Sequence, residues 1–214
     1  MFDILGLLLV VIFAPIIIIN GMNYYKNSTA KSLAILSYVL LGVELFRFFY
    51  TAKFYERAYM PSDKVTFTFV TFSVVISLFA SFNKSRLGKI CKSVLALTAL
   101  APVIIALFYP HVYTNELDTY AVVKALYFLE SGIVLTEGIL LVKAEMREIN
   151  RTSLLWSLAV TLVYIFSNVM RNVFWIPNMA FDLTWFLCMG AVILSVVLTY
   201  AVTVFLLRKK SVNE

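Results

Sequence analysis

Glu44 and Arg47 stand three residues apart in the stretch "VELFRFFYT", and they are the only charges in the apolar run "SLAILSYVLLGVELFRFFYTA". At bilayer depth each full charge costs about 2.5–3.5 kcal/mol on insertion scales unless it is paired or hydrated. An i, i+3 spacing puts both on one face of a helix, where they can pair or grip a polar ligand together. Similar groups recur later in the chain. Lys124, Tyr127 and Glu130 lie in one apolar run, Tyr164, Asn168 and Arg171 follow helical spacing in the next, and Asp182 precedes the last. Arginine and lysine hold anions through charge-assisted hydrogen bonds, and a mid-membrane carboxyl can take up or release a proton. Together Glu44, Arg47, Lys124, Tyr127, Glu130, Tyr164, Asn168, Arg171 and Asp182 form a candidate binding set for a small polar or anionic solute. Glu130, about eleven residues from either end of its run, is too deep to snorkel to the headgroups. Glu137 lies deeper still on the same helix.

The elements that carry these residues are membrane helices. The chain has 214 residues, is 62% hydrophobic and 14% charged, and has a mean hydropathy of +0.90. A soluble domain of this size holds closer to half apolar residues. The runs predict seven transmembrane helices at about Ile4–Asn20, Ser32–Lys53, Val65–Phe82, Ile90–Tyr109, Thr119–Val142, Ser153–Phe174 and Leu183–Leu207. The linkers are short and polar, so residues 1–214 read as one all-α, polytopic integral membrane domain. The first run begins "MFDILG", without a basic n-region or a small-residue cleavage site after it, and reads as a retained helix.

Loop charge predicts orientation. Twelve lysines and arginines fall on one side, among them Lys26, Lys84, Lys143 and Lys209, against Lys53, Arg57 and Lys64 on the other. The positive-inside rule then places the N-terminus outside and the C-terminus in the cytoplasm. The remaining cations, Arg47, Lys124 and Arg171, lie within spans. With this topology the costly residues gather toward the outer half, with Arg47, Lys124 and Arg171 facing Glu44, Glu130 and Asp182. The net charge of +6 reflects the loop bias and anionic lipid, so a nucleic-acid partner is not implied.

Other chemistry finds little support. His111 is the single histidine, with no second histidine or cysteine pair at ligand spacing, so no metal site is expected. Cys91 and Cys188 lie at different depths and read as free thiols. GxSxG, Walker A and GxGxxG motifs are absent, and neither a catalytic residue nor a cofactor is assigned.

"VELFRFFYT" and "SNVMRNVFW" align as Glu44-x-x-Arg47 with Asn168-x-x-Arg171, at equal depth and in equal direction. That echo fits two parallel three-helix repeats joined by a linker helix. This plan is similar to that of the SWEET transporters and KDEL receptors. "LYFLESGIVL" around Glu130 resembles a fifth-helix segment of the KDEL receptors, and Arg47 and Arg171 are placed like arginines of that family. The resemblance implies a cavity that captures a carboxyl end under control of protonation. The pattern "ELFR…YMP", "FYP…YFLESG" and Asn168 also resembles the YwaF-type bacterial membrane proteins and their acyltransferase relatives. That family's cysteine and histidine are replaced here by "MPSDKVTF" and Ser131-Gly132.

The leading expectation is a transporter or receptor-like protein with an outward-facing cavity between the second, fifth and sixth spans. One alternative is a membrane-embedded enzyme acting on lipid. Another is a non-catalytic assembly subunit with a membrane-protein partner or a second copy. A structural network clamping the helices is the plainest reading of the charges.

Overall fold

A computed structural model describes residues 19, 29–54, 68–82, 85–108, 117–145, 148–174 and 183–213. Among these the regular structure is helical, with no strand. The helices are α1 (Thr29–Phe54), α2 (Phe69–Phe82), α3 (Arg86–Thr98), α4 (Ala101–Phe108), α5 (Leu117–Glu145), α6 (Arg151–Phe174) and α7 (Leu183–Asn213). The expected first span, Ile4–Asn20, lies outside the described residues except for Ile19.

Among the described residues, four stretches are long and apolar enough to cross a membrane: Thr29–Tyr50, Arg86–Leu107, Ala125–Ala144 and Trp185–Lys209. The apolar helices Phe69–Ser81 and Arg151–Ser167 are shorter. In hydrocarbon every backbone N–H and C=O must be satisfied within the segment, so an apolar run of this length folds as a helix. The burial pattern agrees. Ser37, Ser77, Glu130 and Glu137 are wholly buried, while Phe49, Leu155, Phe166, Leu183 and Phe205 are exposed. A bundle with its polar groups inside and its large apolar side chains outside has lipid as its solvent. The chain is an integral membrane helical bundle.

Polar punctuation sets the helix starts. Ser85 caps α3 by accepting the Leu87 N–H at 3.2 Å. Asn150 Oδ1 accepts from Ser153 N at 3.1 Å while Asn150 N donates to Ser153 Oγ at 3.3 Å, a reciprocal cap for α6. Thr68 and Thr71 make the same exchange at the start of α2, both bonds being 3.3 Å. Within the helices, Ser131, Thr136, Ser157 and Thr161 return their hydroxyl protons to carbonyls four residues back. Such back-bonding makes a hydroxyl tolerable among apolar side chains.

The span expected at Ile90–Tyr109 is interrupted at Ala99–Leu100. Pro102 has no N–H to offer the Thr98 carbonyl and its ring crowds that turn, so the ladder stops between α3 and α4. The helix resumes with Ile104 N bonded to Leu100 O at 3.0 Å.

Helix α5 is the central element. Its apolar window is 67% buried, against 22% for that of α7, and it packs on α1, α2, α3 and α4. Cross-contacts fix the directions. Arg47 and Ser37 of α1 meet Glu130 and Glu137 of α5, so these two helices are antiparallel. Glu44 meets Thr71 and Ser37 meets Ser77, so α1 and α2 are antiparallel too. Gly138 lets α3 approach α5 closely, since a Cβ built there would overlap that of Ala99 and lie 3.6 Å from the Leu95 and Ala96 carbonyl oxygens.

Candidate functional site

Two polar layers cross the interface of α1, α2 and α5. The first centres on Arg47, which is only 4% exposed. Its Nη2 lies 2.6 Å from Glu44 Oε2, and its Nε donates to the same oxygen at 3.2 Å. One turn of α1 therefore folds Glu44 back onto Arg47, as the i, i+3 spacing predicts. Arg47 Nε is also 3.2 Å from both oxygens of Glu130, with hydrogen-bond geometry satisfied to Oε1 only. Glu130 Oε2 is left buried without a hydrogen bond. From α2, Thr71 Oγ1 donates to Glu44 Oε1 at 2.8 Å, and Thr68 Oγ1 accepts from Arg47 Nη2 at 3.5 Å.

The cluster thus sets two carboxyls around one guanidinium, closed on the α2 side by two threonines. With both carboxyls ionised it carries an excess negative charge, which a proton can remove. An anionic group can also take the place of Glu130 on the guanidinium. Those are the two exchanges that this arrangement can perform.

The second layer lies about two turns along α5. Glu137 Oε1 lies 2.6 Å from Ser77 Oγ and 3.2 Å from Ser37 Oγ. Ser37 Oγ also lies 2.6 Å from Ser77 Oγ, 2.5 Å from Ser81 Oγ and 2.8 Å from the Leu33 carbonyl. Glu137 Oε2 has no hydrogen-bond partner. This layer forms no ion pair with any described cation.

The candidate residues fare differently. Glu44, Arg47 and Glu130 come together. Tyr127 is buried one turn from Glu130, but its hydroxyl donates to the Pro102 carbonyl at 3.2 Å, on the α4 side of α5. The Tyr164 ring stands edge-on to Phe69 at 5.0 Å and to Phe72 at 5.9 Å, fastening α6 to the start of α2 beside the Arg47 layer. Lys124 lies in α5, and Asn168 and Arg171 in α6, with side chains outside the described set. Asp182 lies wholly outside the described residues.

Ser37, Thr68, Thr71, Ser77 and Ser81 escape a reading that ranks residues by charge. A signal was present: Ser73, Ser77 and Ser81 recur every four residues, a hydroxyl stripe along one face of α2. Among the described residues no group of three metal-ligating side chains occurs, and Cys91 and Cys188 are free thiols. A cleft of about 220 Å³, lined in part by Arg86, Lys89, Glu148 and Trp156, lies where α3 and α6 begin.

Comparison with known protein families, characterised proteins and solved structures finds no match for this chain.

Proposed function

We propose that the chain is a seven-helix membrane carrier for a small polar or anionic solute, with its N-terminus outside and its C-terminus cytoplasmic. The solute site lies between α1, α5 and α6. Glu44 orients Arg47, Arg47 binds the anionic part of the solute, and Glu130 is the proton-sensitive group that yields Arg47 to it. Lys124, Asn168, Arg171 and Asp182 extend the site outward, and Tyr127 and Tyr164 hold its walls. The observation supporting this reading is the shared guanidinium. Buried Arg47 contacts two carboxyls, one of which keeps an unpartnered oxygen, so its contacts can be exchanged without exposing an unpaired charge. The loop charges support the orientation.

The experiment is uptake into proteoliposomes of labelled acetate, inorganic phosphate and a zwitterionic amino acid, with and without an inward proton gradient. Accumulation of one of them that depends on the gradient is expected. Absence of both binding and flux for all three, with protein of verified fold, overturns the reading. A structural clamp is the second reading, favoured by the short Glu44–Arg47 contact of 2.6 Å. It places the whole value of the cluster in stability.

A further inference from the structure

The layer around Glu137 stands apart from the proposed solute site and poses a question of hydrogen counting. Four oxygen–oxygen contacts there are 2.8 Å or shorter: Glu137 Oε1 to Ser77 Oγ, Ser77 Oγ to Ser37 Oγ, Ser81 Oγ to Ser37 Oγ, and Ser37 Oγ to the Leu33 carbonyl. Each such contact needs one hydrogen between its oxygens. Three serine hydroxyls supply three hydrogens. An ionised Glu137 supplies none, so one contact would press two lone pairs together in a buried site.

A hydrogen on Glu137 Oε1 closes the count. Glu137 then donates to Ser77, Ser77 and Ser81 both donate to Ser37, and Ser37 donates to the Leu33 carbonyl. Ser37 Oγ then accepts two hydrogen bonds and donates one, the full capacity of a hydroxyl. The longer approaches of Ser37 Oγ to Glu137 Oε1, 3.2 Å, and to the Ser77 carbonyl, 3.3 Å, are not needed. The unpartnered Oε2 becomes the carbonyl oxygen of a neutral acid, far cheaper to leave buried than half of a carboxylate.

We propose that Glu137, Ser37, Ser77 and Ser81 form a proton-binding site inside the membrane, in which Glu137 takes up and releases one proton and the serines conduct its hydrogen bond toward the Leu33 carbonyl. Among the described residues, the groups around it contain no rival. From α2 it faces Ser77, and Ser81 joins through Ser37; α2 holds no charged residue. From α1 it faces Ser37, with Glu44 about two turns and Arg47 about three turns further along. On α5, Glu130 lies seven residues away, roughly 10 Å by helical rise, and Lys143 follows in the last turn. α4 carries no titratable side chain, and α3 carries Arg86, Lys89, Cys91 and Lys92, with no bond to Glu137. The inference does not depend on solute transport, because its test reads the proton itself.

The test is infrared difference spectroscopy on the full chain in lipid, wild type against Glu137→Gln, from acid to alkaline pH. The expected difference is a carboxylic-acid C=O band that shifts in D₂O and gives way to carboxylate bands as pH rises. The band should persist in Glu130→Gln, which separates the two buried acids. In Ser77→Ala it should move to higher frequency, because the acid loses its acceptor; this keeps the test valid if Glu137→Gln folds poorly. A difference spectrum with only carboxylate bands at every pH overturns the proposal, as does an acid band that pH never changes.

Discussion

Replacing Arg47 by Met removes the cation that Glu44 and Glu130 share and keeps much of the side-chain volume. Glu130 is wholly buried and beyond the reach of water, while Glu44, 14% exposed at its side chain, is partly hydrated. Leaving a buried charge without its partner costs about 3–5 kcal/mol. The single variant should lose that much. Glu130→Met alone leaves Arg47 paired with Glu44 and loses one charged hydrogen bond, about 1.5–3 kcal/mol. If these costs added, Arg47→Met/Glu130→Met would lose about 4.5–8 kcal/mol. In the double variant, however, the remaining acid is Glu44, partly hydrated and still bonded to Thr71 at 2.8 Å. The double variant should therefore be no worse than Arg47→Met alone, giving a coupling of at least about 1.5 kcal/mol. Reversible unfolding in mixed detergent micelles, read by the far-ultraviolet signal, measures all three. Additivity within about 0.5 kcal/mol would refute a common buried site and put the groups in contact with headgroups or water.

Three further outcomes follow from the packing. Gly138→Val should lose about 1–3 kcal/mol in the same unfolding assay, because Ala99 and the α3 carbonyls occupy the space that its side chain needs. Lys89→Met should change stability by less than about 0.5 kcal/mol, since the 3.3 Å pair with Glu148 is 62% and 48% exposed. A cysteine at Asn115 should react with an impermeant reagent from outside intact cells and one at Lys209 should not; the reverse pattern would invert the proposed orientation.

Glu44, Arg47 and Glu130 were legible because charge in an apolar run is rare and helical spacing says which groups can meet. The extent of α1, α5, α6 and α7 was legible from run length, to within a few residues except at the end of α7, where the helix continues through the basic "RKKS" to Asn213. The break before α4 was missed although Pro102 signals it, because hydropathy averages over an imino acid. The serine layer was missed for a related reason. A hydroxyl costs little alone, and only the antiparallel register of α1 and α2 brings Ser37 against Ser77 and Ser81. Tyr127 lies one turn from Glu130, and its hydroxyl donates to the Pro102 carbonyl at 3.2 Å, a contact that helical spacing alone does not reveal.

The central claim is that Glu130 exchanges its hold on Arg47 with protonation and solute. Glu130→Gln tests it directly, because Gln has the shape and neutrality of the protonated acid. Uptake or binding of the transported anion is measured across acid to neutral pH on wild type and on Glu130→Gln of verified fold. The account predicts a folded variant that binds with little dependence on pH where wild type depends on it strongly. Unchanged pH dependence in the variant, or loss of the fold with no effect on binding by the surviving folded fraction, would contradict it and leave Glu130 a structural partner of Arg47.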